Sequence, residues 1–212
     1  MTQCIHNEGK TDGRFFVIEG IDGVGKTTIS KRVVEELSKN NLTIAAQDPS
    51  PNLPISSKLR YWTKNIALNP LHQAMLFIAA RTELLIELVC PAIFDGVDVV
   101  CDRFYPSTIA YQGSRLSPKE MFVVLDAIDS EPDHIFILTD TWETIKSRVG
   151  EGRDLLEKND ILKGAYDAYS IMGTSECRFT REKTNITHIN ASCIETAVTE
   201  IVGIINGIKN RS

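Results

Sequence analysis

The chain has 212 residues, of which 42% are hydrophobic and 24% are charged, so its composition is that of a globular protein and excludes disordered and fibrous classes. Its net charge of -5 at neutral pH argues against a broad nucleic-acid-binding surface, and we expect no nucleic-acid partner. The longest strongly apolar stretch, residues 74–94, contains Arg81, Glu83 and Glu87, so we also expect no membrane span.

Residues 1–13 are interpreted as a polar N-terminal extension, because they lack the apolar core of a signal peptide. Residues 14–212 show neither an internal repeat nor a low-complexity linker, which predicts a single domain. The five cysteines are widely spaced and include no Cys-x-x-Cys pair. This spacing favours free thiols in a reducing compartment, the cytoplasm, over a zinc site or a disulfide framework.

Short apolar segments alternate with segments of helical periodicity along the rest of the chain. The predicted strands are 14–19, 42–46, 97–101, 134–138 and 187–190. The predicted helices are 27–39, 56–66, 69–94, 117–128 and 194–208, with a helical or lid-like segment at 141–172. Because the strands are apolar on both faces, this alternation predicts an α/β fold with a parallel sheet covered on both sides.

A glycine-rich loop follows the first predicted strand. It reads Gly20-Ile21-Asp22-Gly23-Val24-Gly25-Lys26-Thr27, which fits the phosphate-loop pattern G-x-x-x-x-G-K-[ST], and continues with Thr28. Such a loop directs backbone N–H groups at a phosphate, and the following helix adds partial positive charge. The lysine can reach the β- and γ-phosphates, and the first threonine can ligate Mg²⁺. We therefore predict that residues 20–28 bind ATP.

The class of nucleotide-binding protein is narrowed by what else the chain contains. It has no Asn-Lys-x-Asp tetrapeptide, which disfavours a GTPase, and it is short for a motor or a large ATPase. A small kinase fits best, and it needs an acceptor site. Asp102 and Arg103 end the third predicted strand, at the sheet edge where ligands bind in such folds. Asp102 can hold Mg²⁺ and Arg103 can bind a phosphate, although a buried structural ion pair is the alternative.

Three stretches resemble the thymidylate kinase family: GIDGVGKTT at 20–28, LFIAAR at 76–81 and DRFYPSTIAYQG at 102–113. The resemblance extends over about residues 14–208. It implies a three-layer P-loop fold with a five-stranded parallel sheet flanked by helices, usually in a homodimer. It also implies transfer of the γ-phosphoryl group of ATP to dTMP with Mg²⁺, giving dTDP for dTTP synthesis. A broader-specificity deoxynucleotide or deoxynucleoside kinase, and a nucleotide sensor without catalytic activity, remain open alternatives.

The resemblance further implies which residues hold the acceptor. Asp22 occupies the position that hydrogen-bonds the deoxyribose 3′-hydroxyl, Phe77 matches the aromatic ring that stacks on thymine, and Arg81 matches an arginine used near a base carbonyl. From helical periodicity alone, Phe77 would be a core residue and Arg81 a solvated one. The segment that reads the base edge and closes around the sugar is matched by Ser107, Tyr111 and Gln112. The side-chain amide in this segment can pair with N3–H and a carbonyl of thymine.

One departure from the family lies after the second predicted strand. The family usually has an arginine here, in stretches like Arg-Glu-Pro, that contributes to binding of the acceptor phosphate. This chain has Gln47-Asp48-Pro49-Ser50-Pro51 instead. Asp48 keeps the acidic position and is expected at the acceptor site, whereas Lys58 and Arg60 are the candidates to replace the missing arginine.

The second departure lies in a lid predicted at about residues 146–158. The family often has Asp-Arg here, where this chain has Asp154-Leu155, and no arginine stands in the phosphate loop. A lid arginine is therefore expected to be needed, although an exposed basic helix end is the alternative. Charge on the transferring phosphoryl group would be neutralised by four basic residues, Lys26, Arg103, Arg148 and Arg153.

Overall fold

The computed structural model describes residues 13–128, 131–149, 159–177 and 184–210. Its strands are β1 (Phe15–Gly20), β2 (Thr43–Gln47), β3 (Asp98–Asp102), β4 (His134–Thr139) and β5 (Ile186–Asn190). They form one sheet in the order β2-β3-β1-β4-β5, and every neighbouring pair is parallel. The predicted α/β fold with a five-stranded parallel sheet is therefore confirmed.

Helices flank this sheet. They are α1 (Lys26–Leu37), α2 (Pro54–Asn65), α3 (Pro70–Leu84), α4 (Cys90–Phe94), α5 (Tyr105–Gln112), α6 (Pro118–Asp126), α7 (Trp142–Val149), α8 (Asn159–Ile171) and α9 (Ile194–Lys209). α1 and α9 pack on each other, while α5 lies between α3 and α8. In the part of the chain that the structure describes, no helix is long and apolar enough to cross a membrane.

The central strands are buried along their whole length because helices cover both faces of the sheet. Phe15 on β1 packs edge-to-face against Phe104, with ring centroids 5.0 Å apart. Since all five strands run in the same direction, their carboxyl ends meet at one edge of the sheet. That edge carries the phosphate loop after β1 and the Asp102–Arg103 pair after β3, so the two predicted sites are neighbours.

Three helical segments differ from prediction. α5 was not predicted, because seven of its eight residues are buried and it therefore has no polar face to produce a helical period. The predicted helix 69–94 is divided into α3 and α4 by a π-helical turn at Leu85–Val89. The segment 141–172 contains α7 and α8, with residues 150–158 outside the described ranges.

Other expectations concern the chain ends and the thiols. The N-terminal extension lies outside the described residues except for Gly13, so it stays a prediction. Within the described residues, Cys90, Cys101, Cys177 and Cys193 take part in no disulfide bond. Cys4 belongs to the part of the chain that is not described.

Candidate active site

The phosphate loop connects β1 to α1 and contains the predicted ATP-binding residues 20–28. Gly23 has a φ of 84°, which disfavours any residue with a side chain. It is also enclosed by α7, since a Cβ at this position would lie 2.6 Å from Cγ2 of Val149. The absence of an arginine from the loop thus has a structural reason: α7 packs where its side chain would begin.

The N-terminus of α1 is arranged as an anion site. Gly25 is the N-cap with a φ of 101°, no side chain caps the helix, and its first turn contains no acidic residue. The first N–H groups of the helix are therefore available to a phosphate. Lys26 is only 6% exposed, and its Nζ donates to the carbonyl of Ile21 at 2.7 Å. Burial and then the charge of Arg103 lower the pKa of Lys26 to about 8.

Thr27 and Asp102, the predicted metal ligands, are brought together at the ends of α1 and β3. The Thr27 hydroxyl donates to Asp102 Oδ2 at 2.7 Å. The other carboxylate oxygen, Oδ1, is buried and has no hydrogen-bond partner in the described part of the chain. A hydroxyl beside an unsatisfied carboxylate oxygen is a donor set that suits Mg²⁺, which takes oxygen ligands from one or two carboxylates and from nucleotide phosphates. Thr28, the last predicted loop residue, is exposed one position further along α1.

Arg103 connects the phosphate loop to α5. Its Nη2 forms an ion pair with Asp22 Oδ1, and its Nη1 donates to Ser107 Oγ at 3.2 Å. The Tyr111 hydroxyl donates to Asp22 Oδ2 at 2.6 Å. Burial alone would raise the pKa of Asp22, but the charges of Arg103 and Lys26 and the hydroxyl lower it to about 2. Asp22 is therefore a carboxylate at neutral pH, and its oxygens are paired with Arg103 and with Tyr111 of α5.

Glu19 holds the segment that contains Arg103. This residue lies near the end of β1, just before the phosphate loop, and its side chain is 0% exposed. Its Oε1 accepts the backbone N–H groups of Phe104 (2.6 Å) and Ser107 (3.1 Å), while its Oε2 accepts the hydroxyls of Ser107 (2.9 Å) and Tyr169 (2.7 Å). Arg103 has a φ of 74°, a strained value for a residue with a side chain. The hydrogen bonds to Glu19 hold the chain that follows Arg103, and the N–H of Arg103 itself donates to the Ile18 carbonyl at 3.0 Å.

Arg81 on α3 is buried against α5. Its Nε pairs with Asp48 Oδ2 at 2.6 Å, and its Nη2 donates to the Phe104 carbonyl and the Thr108 hydroxyl, both at 3.1 Å. Arg81 Nη1 and Asp48 Oδ1 are buried without a hydrogen-bond partner in the described residues. Arg81 is thus not the solvated helix-face residue that periodicity alone favours. Asp48, predicted at the acceptor site, lies behind Arg81 and orients it.

Phe77 lies one helical turn before Arg81 and is partly exposed, so it is not a fully buried core residue. It has no ring partner among the described aromatic pairs. Gln112 on α5 is buried, and its Nε2 donates to Gln73 Oε1 on α3 at 3.1 Å. Phe77 and the fixed Gln112 amide thus lie on two helices, α3 and α5, that pack against each other.

Arg148, on the last turn of α7, lies next to the phosphate loop. Its Nη1 pairs with Asp140 Oδ2 at 3.2 Å and is 3.5 Å from the carbonyl oxygen of Gly23. The guanidinium is therefore close to the site but held by Asp140. Arg153 and most of the predicted lid lie outside the described residues.

The segment that lacks the family's arginine borders a cavity of about 330 Å³, which opens beside the predicted metal ligands. Gln47 and Ser50 line it, and Lys31 of α1 is the one basic residue among the described residues that do so. Lys58, a predicted replacement for the arginine, is exposed on α2 and does not line this cavity. The side chain of Arg60 is outside the described part of the structure.

Several polar residues of the site were missed by sequence reasoning. Glu19 had a recognisable signal, since it is a carboxylate in an otherwise apolar strand directly before the phosphate loop. Gln73 lies four residues before Phe77, so helical spacing would have placed both on one face of α3. Thr108 gave no such signal, because only the packing of α3 against α5 brings it to Arg81.

Comparisons with known proteins agree with this geometry. A family model described as thymidylate kinase matches residues 18–201. A probable thymidylate kinase from Caldivirga maquilingensis is 29% identical over 161 residues, covering 73% of this chain and 78% of that protein. A thymidylate kinase from Bacillus licheniformis is 39% identical over 105 residues, covering 48% of this chain, and the match spans 50% of the relative's length.

A solved structure, described as thymidylate kinase from Candida albicans, has the same fold. It matches with a TM-score of 0.74 at 22% identity, and the match covers 94% of both chains. The shared fold and the family model agree with each other. Because the family model matches well over half of the chain, the chain belongs to the thymidylate kinase family.

Proposed function

We propose that this chain transfers the γ-phosphoryl group of ATP to the 5′-phosphate of dTMP, giving dTDP for dTTP synthesis. The observation that carries the proposal is the direct contact between its two candidate subsites. Asp22 lies in the phosphate loop, yet it pairs with Arg103 and Tyr111 on the acceptor side, and Lys26 Nζ is 3.8 Å from its Oδ1. Two phosphorylated ligands bound at these subsites would have their phosphates next to each other.

On the donor side, the glycine-rich loop and the N-terminus of α1 would bind the phosphates of ATP. Lys26 gives up its contact with the Ile21 carbonyl and binds the β- and γ-phosphates. Its buried position makes its positive charge effective, because nearby water is excluded. The Mg²⁺ ion that accompanies ATP would be held by Thr27 and by Asp102, whose Oδ1 is unsatisfied. When bound, Mg²⁺ supplies positive charge that neutralises the phosphates.

On the acceptor side, thymine would stack on Phe77, and Gln112 and the unpartnered Nη1 of Arg81 would meet its polar edge. Asp22 accepts the hydrogen bond of the deoxyribose 3′-hydroxyl. The Tyr111 ring occupies the space that a ribose 2′-hydroxyl needs. Arg103 turns from Asp22 to the acceptor phosphate and Ser107 supports it.

Transfer needs little acid or base chemistry, because the acceptor phosphate is already anionic. The rate would come from alignment of the two phosphates and from neutralisation of their charge by Lys26, Arg103 and a lid arginine. Arg148 serves this purpose if it leaves Asp140, and Arg153 is the second candidate.

An ADP-release assay with MgATP and a panel of acceptors tests the proposal. We expect the highest kcat/KM with dTMP, and lower values with dUMP, dCMP, dGMP and thymidine. A preference for thymidine would support the alternative of a nucleoside kinase, which the family match does not favour. ATP binding without acceptor-dependent ADP release would indicate a sensor instead of an enzyme.

The chain is also proposed to act as a cytoplasmic homodimer. α3 packs against both α2 and α6, and these three helices expose the large apolar side chains Tyr61, Met75, Phe122 and Val123. Such a surface favours association with a second copy. Sedimentation velocity should give about twice the monomer mass of 23.6 kDa, and a monomer mass at micromolar concentration would refute the dimer.

A further inference from the structure

Arg115, Gln73 and Gln112 form a hydrogen-bonded series at the contact between α3 and α5. Arg115 Nη2 donates to Gln73 Oε1 at 3.0 Å, and Gln112 Nε2 donates to the same oxygen at 3.1 Å. Arg115 is itself positioned by α5, because its Nε and Nη2 donate to the Tyr111 carbonyl at 3.3 and 3.0 Å. The two glutamines are buried, whereas Arg115 is on the surface.

The direction of each hydrogen bond in this series follows from the chemistry of Arg115. A guanidinium group can only donate, so the Gln73 atom that it contacts must be the amide oxygen. Since the same oxygen also contacts Gln112, the Gln112 atom that meets it must be the amide nitrogen. A side-chain amide has two orientations related by a half-turn, and here a charged group removes that freedom from both glutamines.

The Gln112 amide lies where the base of the acceptor would be recognised. Gln73, Phe77 and Arg81 are spaced four residues apart, so they follow one another on the same face of α3. The outer two are joined to α5, Gln73 to Gln112 and Arg81 to Thr108. Phe77 lies between these two bridges, so we expect a flat base stacked on its ring to turn an edge toward α5, within reach of Gln112.

We propose that Arg115, acting through Gln73, is a positioning residue that limits the acceptor base to pyrimidines with a hydrogen on N3. This inference rests on the proposed function. Gln112 has its nitrogen turned to Gln73, and no donor in the described part of the chain contacts its Oε1. That oxygen accepts N3–H of thymine or uracil, and the second amide hydrogen donates to a ring carbonyl.

Cytosine presents the opposite pattern, because its N3 is an acceptor and its exocyclic amine is a donor. To pair with cytosine, the Gln112 amide must make a half-turn, which would place its oxygen against Gln73 Oε1. Gln73 would then have to turn as well, and its NH₂ group would face the guanidinium of Arg115. Two opposed donors are unfavourable, so the series rejects dCMP without any direct contact between Arg115 and the nucleotide.

Substitutions of Arg115 test whether it sets the preference for dTMP over dCMP. The ratio of kcat/KM for dTMP to that for dCMP is measured with MgATP; if dCMP is not phosphorylated, its inhibition constant against dTMP turnover replaces its kcat/KM. Arg115→Leu should lower the preference for dTMP about tenfold, because both amides can then turn. Arg115→Lys should keep the preference, since an ammonium group also only donates.

The double variant Gln73→Glu/Arg115→Leu separates this role from structural damage. A carboxylate only accepts, so it holds the Gln112 nitrogen without help from Arg115 and should restore the preference. It does not restore the bonds to the Tyr111 carbonyl, which both variants lack. If Arg115→Leu leaves the dTMP-to-dCMP ratio unchanged, or if the double variant does not recover that ratio, the role of Arg115 is overturned while the proposed function stands. Absence of dTMP turnover in the unaltered chain would overturn the proposed function and this inference with it.

Discussion

The proposed donor and acceptor halves of the site are built in different ways. The donor half is the contiguous stretch 20–28 with Asp102, and it presents mainly backbone N–H groups and one lysine. The acceptor half consists of Arg81, Arg103, Tyr111 and Gln112, with Glu19 beneath them, so its side chains come from β1, α3, the turn after β3 and α5. A local motif is enough for the first, whereas the second exists only when distant elements pack. The two halves should therefore respond differently to substitution.

The largest effect is expected in the donor half. Lys26→Met removes the buried charge that we assign to the β- and γ-phosphates and should lower kcat/KM about a thousandfold. The fold should persist, because Lys26 makes its hydrogen bond to a carbonyl of its own loop. Steady-state kinetics and circular dichroism measure the two properties. Lys39→Met, an exposed lysine just after α1, is the control and should leave the rate unchanged. Near-normal turnover in Lys26→Met would contradict the role of the loop.

The acceptor half should lose stability as well as activity. Asp48→Asn removes the negative charge that pairs with the buried Arg81 and should lower the free energy of unfolding by about 3 kcal/mol, because the guanidinium charge is left uncompensated. Urea denaturation measures this loss. Glu36→Gln breaks the exposed pair with Lys39 and should cost less than about 1 kcal/mol. Equal losses in the two variants would mean that the Asp48–Arg81 pair has no special structural role.

The smallest expected effect is that of pH on ligand affinity, which should differ between the two halves. Lys26 has a pKa of about 8, below its ordinary value of 10.5, so it loses its proton as the pH rises through 8. Bound phosphates favour the protonated form, and ATP affinity should therefore fall about tenfold between pH 7 and pH 9. Although burial alone would lower the pKa of Arg103, the Asp22 carboxylate raises it, so dTMP affinity should stay constant.

Calorimetric titration with a non-hydrolysable ATP analogue and with dTMP at several pH values checks this difference. Lys26→Met should bind the analogue weakly and with little dependence on pH. A parallel loss of affinity for both ligands would show that another group titrates, and the separation into two halves would fail.

Much of the fold was predictable because its elements have local causes. The five strands were predicted to within one residue at each end, since each is a short apolar run between turn residues. α6 was predicted from Ser117 and Glu120, which do form the expected capping box. α5 was not predicted, although it carries Tyr111 and Gln112, because burial on all sides removes the periodicity that marks a surface helix.

The site was predictable only in part, for a related reason. Residue types and the resemblance selected Arg81, Arg103 and Gln112, and the structure brings all three to one edge of the sheet. Glu19 and Gln73 were not predicted as partners of this segment, and Asp48 was predicted at the acceptor site but not as the partner of Arg81. Their binding roles remain predictions that the variants above test.

By itself, the sequence determined the family, the alternation of strands and helices, and the loop that wraps a phosphate, because these depend on residues that are neighbours in the chain. Tertiary structure alone decided which hydrogen-bonding atoms the acceptor site offers. Arg81 has one unsatisfied nitrogen because Asp48, Phe104 and Thr108 occupy its other donors. The orientation of Gln112 is likewise imposed by groups on α3 and after α5. The physical reason is that a buried polar group must find its hydrogen-bond partners among its neighbours. Which of its donor or acceptor atoms remain available to a ligand therefore depends on the neighbours that folding supplies.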